Sequence, residues 1–192
     1  MMEPIVIVSG LPRSGTSLMM RMLEAGGVPP VSDGEREADD DNPRGYYEYE
    51  PVKKLAQDDA WLDSAGGRAL KVISALLQHL PSRHRYRVVF MRRDLDEVLA
   101  SQSRMLERRG EPGGDEAILR KAFIKHVEAT ERRLAEAENM DVLYVSYTRL
   151  VVAPDRQLDR IVRFFDGGLD RDAMAAVIEP RLYRQRRSPA LS

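Results

Sequence analysis

Four short apolar runs constrain the fold of this 192-residue chain more than any other feature. They lie at residues 5–8, 69–73, 88–91 and 142–145, and nearly all of their side chains are β-branched or large. Because apolar and polar residues hardly alternate within them, the runs are typical of strands that are covered on both faces of a parallel sheet.

Helical periodicity lies between and after these runs. The patterns cover residues 18–23, 95–106, 118–134 and 158–165. Gly26 and Gly27 stop the first pattern, Asp94 precedes the second as an N-cap, and Pro154 opens the last. Strands that alternate with helices in this way predict a three-layer α/β fold, with helices on both faces of a central parallel sheet.

The composition fits one domain spanning residues 1–192, with 43% hydrophobic and 32% charged residues. The net charge is −1, from 30 basic and 31 acidic residues, so no overall field favours nucleic acid or an anionic membrane. The absence of cysteine excludes disulfides and thiolate metal sites. The first residues lack a basic leader, and no apolar run is as long as a membrane span. We therefore expect a soluble, cytoplasmic protein.

Directly after the first apolar run, residues 10–17 read GLPRSGTS. The usual triphosphate loop is G-x-x-x-x-G-K-[S/T], in which the lysine reaches the phosphates and the hydroxyl holds magnesium. Gly10, Gly15 and Ser17 match that pattern, but Thr16 stands at the lysine position and the nearest cation is Arg13. A loop between a strand and a helix presents backbone N–H groups and a helix dipole to an anion. The alternative is a glycine turn with a surface arginine.

The shifted cation argues against triphosphate chemistry. Kinases hold magnesium between phosphates, usually with an aspartate at the end of a buried strand. The later runs end in VISA, VFMRRD and YVSY, and Asp94, the nearest candidate, follows two arginines. A loop with its own guanidinium and no obvious metal carboxylate predicts a donor with fewer phosphates, handled without a metal ion.

The loop resembles that of the sulfotransferase superfamily. The family pattern P-[K/R]-S-G-T-[T/S] is matched by Pro12, Arg13, Ser14, Gly15, Thr16 and Ser17. The arginine form is most similar to the tyrosylprotein branch and its bacterial relatives. This resemblance implies a P-loop NTPase-like fold and, as donor, 3′-phosphoadenosine 5′-phosphosulfate (PAPS), whose 5′-phosphosulfate this loop binds.

A second stretch, RVVFMRRDLDEVLASQ, resembles the segment with which that family binds the 3′-phosphate. The family pattern is a strand ending in Arg-[D/N]-P-x-[D/E]-V-x-x-x-Ser or a close variant. Arg93 ends the strand and Ser101 lies eight positions later on the following helix, so the resemblance implies this role for Arg93 and Ser101. An arginine fork and a hydroxyl on a helix suit a dianionic phosphate. Leu95 stands where many relatives have proline, and without the first motif both candidates would be interpreted as surface residues.

A third stretch, residues 142–165, resembles the family's late strand, turn and following helix. Relatives use a tyrosine there near adenine, which implies this role for Tyr147; a tyrosine that covers the end of the sheet is the alternative. A clear Arg-Lys-Gly segment for the 3′-phosphate is missing. Arg184, Arg186 or Arg187 in the basic tail could replace it, and a solvated tail is the alternative.

Sulfuryl transfer requires an in-line nucleophile, a general base and positive charge at the oxygen that bridges phosphorus and sulfur. The resemblance implies that Arg13 stabilises this leaving oxygen and that Lys71 contacts the sulfuryl oxygens. A lysine within an apolar strand needs a partner or an exit to solvent, so an edge lysine that reaches the solvent is the alternative for Lys71.

The base in the arginine branch is a glutamate after the first helix. Counting from Arg13, Glu35 fits that position best. Asp33 and Glu37 lie beside it in an acidic segment, where spacing alone does not decide. Glu48, in NPRGYYEYE, is the alternative base.

The sequence thus predicts a PAPS-dependent sulfotransferase that acts without a metal ion on a hydroxyl or amine of a small-molecule or carbohydrate-like acceptor. It predicts that the protein binds neither nucleic acid nor a membrane. An ATP- and magnesium-dependent small-molecule kinase and a nucleotide-binding module without catalysis are the alternatives. The three histidines, His79, His84 and His126, receive no function.

Overall fold

The structure is a computed structural model that describes residues 3–33 and 47–178. Within these described residues, four strands form one sheet. They are β1 (Ile5–Gly10), β2 (Ala69–Lys71), β3 (Tyr86–Arg92) and β4 (Met140–Ser146). The α-helices in the described part are α1 (Thr16–Ala25), α2 (Leu95–Arg109), α3 (Glu116–Glu136), α4 (Tyr147–Val152), α5 (Asp155–Phe164) and α6 (Arg171–Ala176). Short 3-10 helices cover Glu50–Lys54, Ala60–Ser64 and Ser74–His79.

The sheet is parallel throughout, in the order β2-β1-β3-β4. The register pairs Val8 with Lys71 and Gly10 with Met91, so the carboxyl ends of β1, β2 and β3 meet at one edge. After β1 the chain forms β2 next to one edge of β1, and it later forms β3 next to the other edge. The carboxyl edge at such a reversal is where open parallel sheets bind ligands.

Each face of the sheet carries its own core, because successive strand residues point to opposite sides. Val6 and Val8 of β1 pack with α1, α4, α5 and α6, including Met19 and Met22. Ile7 lies on the opposite face, with the 3-10 helices and the carboxyl half of α3. Helices on both faces of a parallel sheet confirm the predicted three-layer α/β fold.

The boundaries follow the local sequence. Asp94 caps α2 by accepting a hydrogen bond from the N–H of Asp96, and Gly26 is the C-cap of α1. The helical pattern predicted at residues 118–134 lies within α3, but the helix is buried over only part of its length. Ile118 is 68% exposed, and the buried residues of this helix, Thr130 and Leu134, lie in its carboxyl half.

No helix in the described ranges is both long and apolar enough to cross a membrane.

Candidate anion site at the carboxyl edge of the sheet

The loop between β1 and α1 has a backbone that turns repeatedly into the left-handed region. The φ angles are 150° at Gly10, 67° at Arg13 and 98° at Gly15. Positive φ is uncommon for a residue other than glycine and strained when it occurs, so the Arg13 conformation has to be held by its surroundings. Left-handed residues within a turn direct successive N–H groups toward one side, which is the geometry of an anion-binding nest.

Two glycines of the loop are required by close contacts. A β-carbon on Gly10 would collide with Ser14 Oγ and lie 2.7 Å from the carbonyl oxygen of Met91. A β-carbon on Gly15 would collide with the ring of Tyr147. The G-x(4)-G spacing therefore lets the loop fold back on β1 and β3 and lets the aromatic ring lie against the start of α1.

The hydroxyl of Ser14 and the first N–H groups of α1 are donors that an anion bound at this loop could use. The N-cap of α1 is Gly15, which brings no side-chain oxygen to the first N–H groups of the helix. Ser14 is 1% exposed, and its Oγ has no hydrogen-bond partner in the part of the chain that the structure describes. A buried hydroxyl without a partner costs about 1–3 kcal/mol, which an anion or water oxygen would offset.

Arg13, the cation of the loop, is held at two points by the β3–α2 segment. Its Nε donates to Ser101 Oγ at 3.0 Å. Its carbonyl oxygen accepts a hydrogen bond from Nη1 of Arg93 at 2.9 Å. The structure therefore brings together three residues that the two sequence motifs propose separately.

Arg93 is buried in an ion pair. Its Nε lies 3.0 Å from Oε2 of Glu97, and the two side chains are 7% and 5% exposed. The guanidinium also lies over the ring of Tyr147, 4.5 Å from the ring centre. Arg93 is thus a component of the loop's support as well as a candidate phosphate ligand.

Tyr147 begins α4 and is 7% exposed. Burial raises the pKa of its phenol, an effect that the nearby positive charge of Arg93 opposes. The ring lies against Gly15 and Arg93, so the structure places it at the end of the sheet, beside the loop. A role next to adenine stays a prediction.

Lys71 lies at the same edge, on the β2 side of the loop. Its Nζ is 3.7 Å from Oε1 of Glu48, and its side chain is 11% exposed. The carbonyl of Glu48 accepts hydrogen bonds from Ser32 Oγ at 3.1 Å and from the N–H of Asp33 at 3.3 Å. These contacts fix the backbone from which the Glu48 carboxylate reaches Lys71.

The remaining candidates for the base differ in what the structure says of them. The carboxylate of Asp33 accepts the N–H of Glu50 at 2.6 Å, so one of its oxygens is engaged with the backbone. Glu35 and Glu37 lie outside the described residues, and so do the tail arginines Arg184, Arg186 and Arg187.

His126 has a contact that the sequence did not indicate. Its Nε2 lies 2.8 Å from Oγ of Ser74, which is 4% exposed, and 3.5 Å from Oγ1 of Thr130. The contact joins the 3-10 helix after β2 to α3. Across residues 3–33 and 47–178, no three His, Asp or Glu side chains group as metal ligands, and the metal independence of the site stays a prediction.

Comparison with solved structures shows which known proteins have a similar fold. A sulfotransferase domain from the olefin synthase of Synechococcus PCC 7002 matches 99% of this chain and 91% of its own, with a TM-score of 0.59 and 17% identity. A sulfotransferase from Alicyclobacillus acidocaldarius matches 95% of this chain and 89% of its own, with a TM-score of 0.51 and 14% identity. The fold is that of the sulfotransferases. No family model and no curated protein sequence matches the chain.

A third sulfotransferase-fold structure, the sulfotransferase domain from the curacin biosynthetic pathway, matches 97% of this chain and 78% of its own, with a TM-score of 0.50 and 14% identity. Identities this low leave the roles of individual residues to the geometry of the site.

Sequence reasoning assigned no role to two residues with tertiary contacts, of which one is at the site. Glu97 pairs with Arg93; its signals were the acidic position in the family pattern and the separation of four positions between opposite charges. Tyr47 donates its hydroxyl to a carboxylate oxygen of Glu24 on α1, and its φ of 52° is unusual for a bulky residue. Nothing in the local sequence distinguishes Tyr47 from the neighbouring tyrosines.

Proposed function

We propose that the protein is a PAPS-dependent sulfotransferase that transfers a sulfuryl group to a hydroxyl or amine of a small-molecule or carbohydrate-like acceptor without a metal ion. The observation that carries this proposal is the position of Arg13 within a sulfotransferase fold. A guanidinium in the loop, joined to Ser101 and Arg93, replaces the lysine with which triphosphate loops reach their phosphates.

The residues of the loop fit the 5′ end of such a donor. N–H groups at the start of α1, the buried hydroxyl of Ser14 and the side chains of Thr16 and Ser17 would hold its 5′-phosphosulfate. Arg93 and Ser101 are the proposed ligands of its 3′-phosphate, and Tyr147 is the proposed neighbour of its adenine. The donor supplies the sulfuryl group and leaves with negative charge on the phosphate oxygen that carried it.

Arg13 and Lys71 would stabilise charge on the two sides of the transferred group. Arg13 lies in the loop and would donate to the leaving oxygen, where charge grows as the bond to sulfur breaks. Lys71 approaches from β2, the neighbouring strand, and would contact the sulfuryl oxygens. Lys71 ends β2, and Arg13 lies in the loop that follows the adjacent strand β1, so the sheet would help to hold the two cations in place during the reaction.

A carboxylate must take the proton of the acceptor as its oxygen or nitrogen bonds to sulfur. Glu35 remains the base that family spacing predicts. Glu48 is the alternative, and its contact with Lys71 at 3.7 Å supports it, because that contact brings a carboxylate next to the proposed sulfuryl site.

Calorimetry with three nucleotides tests the function. We expect 3′,5′-ADP (PAP) to bind more tightly than AMP by a factor of about 10–150, because a charge-assisted contact to the 3′-phosphate contributes about 1.5–3 kcal/mol. Binding should persist in EDTA, since no phosphate pair needs a bridging metal.

If the wild-type protein binds ATP with magnesium and shows no preference for PAP over AMP, the proposal is wrong and the protein is better explained as a small-molecule kinase that uses ATP and magnesium. Preference for PAP without sulfuryl transfer to any hydroxyl or amine in a broad acceptor panel would indicate the binding module. Incubation with PAPS and such a panel distinguishes the two: the sulfotransferase should release PAP in the presence of an acceptor, and the binding module should not.

A further inference from the structure

The Arg93–Glu97 pair differs in burial from the other ion pair on the same turn of α2. Asp96, next to Glu97, pairs with Arg120, and those side chains are 48% and 37% exposed. The Arg93 and Glu97 side chains are 7% and 5% exposed. Removing two charges from water is costly even when they are paired, so a pair buried this deeply needs an explanation beyond general stability.

The position of Arg93 supplies that explanation. Its Nε donates to Glu97, while its Nη1 donates at 2.9 Å to the carbonyl oxygen of Arg13. Arg13 has a φ of 67°, a conformation that its own side chain does not favour. Because a guanidinium is planar and rigid, fixing Nε at Glu97 also fixes the direction in which Nη1 points.

Helix α2 thereby holds both the backbone carbonyl and the guanidinium of Arg13. Glu97, in its first turn, acts through Arg93 on the Arg13 carbonyl, and Ser101, one turn later, accepts the Nε of Arg13. The backbone and the charged group of the loop arginine are therefore set by one rigid element. Glu97 also neutralises the charge of Arg93, whose side chain is 7% exposed.

We infer that Glu97 is a positioning residue of the anion loop: through Arg93 it holds the Arg13 peptide in the conformation that directs the loop's N–H groups toward the 5′-phosphate of a nucleotide. The inference rests on the proposed function in one respect, namely that the loop binds the 5′ anion of a nucleotide.

The test uses the full chain and four variants. Glu97→Gln removes the charge and keeps the volume, and Arg93→Met removes the donors. The third variant combines both changes. Asp96→Asn is the matched control, since it removes a carboxylate from the same turn of α2 but from an exposed ion pair. Circular dichroism and thermal unfolding verify that each variant is folded.

AMP is the first probe, because it carries the 5′-phosphate and lacks the 3′-phosphate. We expect Glu97→Gln to weaken AMP binding by about tenfold and Asp96→Asn by less than about twofold, because an exposed ion pair contributes little. The double variant should bind AMP no more weakly than Arg93→Met alone, because Glu97 acts through Arg93. Additive losses, or wild-type affinity in folded Glu97→Gln, would overturn the inference.

Amide hydrogen exchange provides a readout that needs no ligand. Glu97→Gln should speed exchange of the amides of residues 10–17, and Asp96→Asn should leave them unchanged. A lowered unfolding temperature with unchanged loop exchange would show that Glu97 is only structural. If Glu97→Gln does not fold, the double variant, which buries no unpaired charge, takes its place: its loop amides should exchange faster than those of wild type, and exchange at the wild-type rate would contradict the inference.

Failure of this inference is distinguishable from failure of the proposed function. Wild-type protein that binds PAP and AMP equally would contradict the sulfotransferase proposal while leaving the effect of Glu97 on AMP and on loop exchange in place. A clear preference for PAP, together with unchanged loop exchange in Glu97→Gln, would contradict the inference about Glu97 alone.

Discussion

At the scale of single residues, Arg13 joins the two motifs that the sequence presents separately. The sequence assigns Arg13 to the 5′ side of the donor and Arg93 and Ser101 to the 3′ side. These roles are predictions from the resemblance. In the structure, both residues predicted for the 3′ side contact Arg13, Arg93 at its carbonyl and Ser101 at its Nε. Substituting Arg93 or Ser101 is therefore expected to affect the loop as well as any contact with a 3′-phosphate.

Arg13→Ala tests the proposed charge stabilisation. One preorganised donor at a developing charge contributes about 3 kcal/mol, so kcat should fall about a hundredfold or more. Donor binding should weaken less, because the contact strengthens in the transition state. Steady-state kinetics with PAPS and any identified acceptor, together with PAP calorimetry, give the two quantities. Near-normal turnover in the variant would remove Arg13 from the mechanism.

The base is tested by paired substitutions. Glu35→Gln should lower transfer by roughly 10²–10⁴ and leave PAP binding intact, because the amide keeps the shape but cannot accept the proton. Glu48→Gln is the comparison, since Glu48 is the described carboxylate that contacts Lys71. If Glu48→Gln loses transfer while Glu35→Gln remains active, Glu48 is the base and the spacing argument fails.

At the scale of elements, the strands and long helices could be predicted because their signals are local. The sequence predicts the start of β1, the N-cap of α2 at Asp94 and the end of α1 at Gly26, and the structure contains each of them. The short helices α4 and α6 escaped prediction because six residues do not show a helical period. The exposure of Ile118 depends on how α3 lies against the sheet, which no local pattern records.

In the candidate site, too, the local features could be predicted from the sequence and the contacts between distant residues could not. The glycines and Arg13 follow from a local pattern. The Arg93–Arg13 contact joins residues 80 positions apart, and the Tyr147 ring against Gly15 joins residues that follow β4 and β1, two strands that are not neighbours in the sheet. Such contacts follow from the packing of β1, β3 and β4 and could not be predicted from spacing.

Gly15→Ala tests the contact between the loop and α4. Gly27 provides the control, because its φ of 104° resembles the 98° of Gly15, yet a β-carbon there would meet nothing within 4 Å. Gly27→Ala should lower the free energy of unfolding by about 1–2 kcal/mol, from backbone strain alone. Gly15→Ala should cost about 1–3 kcal/mol more, from the collision with Tyr147. Urea denaturation measures both, and equal losses would show that the ring moves aside freely.

At the scale of the whole molecule, buried tyrosines link both cores to the stability of the protein at alkaline pH. Tyr86 lies in the core on one face of the sheet and Tyr147 in the core on the other. Burial raises the pKa of each phenol above its usual value. Desolvation has the same leading effect on the pKa of Tyr47 and of Tyr144. Folding therefore favours the protonated form of all four phenols.

The sign of the resulting pH dependence follows from the raised pKa values. Below the unfolded pKa of about 10, both states keep their phenolic protons and this contribution to stability is complete. As the pH rises toward the folded pKa, the unfolded chain loses protons that the folded chain retains, so the free energy of unfolding falls. Urea denaturation should therefore give a lower free energy of unfolding at about pH 11 than at about pH 9.

Tyr86→Phe isolates one phenol within this effect. At about pH 9 the variant should be less stable than wild type by about 0.5–1.5 kcal/mol, because it lacks the 2.9 Å hydrogen bond from the Tyr86 hydroxyl to the carbonyl of Pro81. At about pH 11 the difference should narrow, since phenylalanine has no proton for the unfolded chain to lose. Urea denaturation of both proteins at both pH values measures the change. An equal loss at the two pH values would show that Tyr86 ionises as readily in the folded protein as in the unfolded chain, and that its burial does not resist deprotonation.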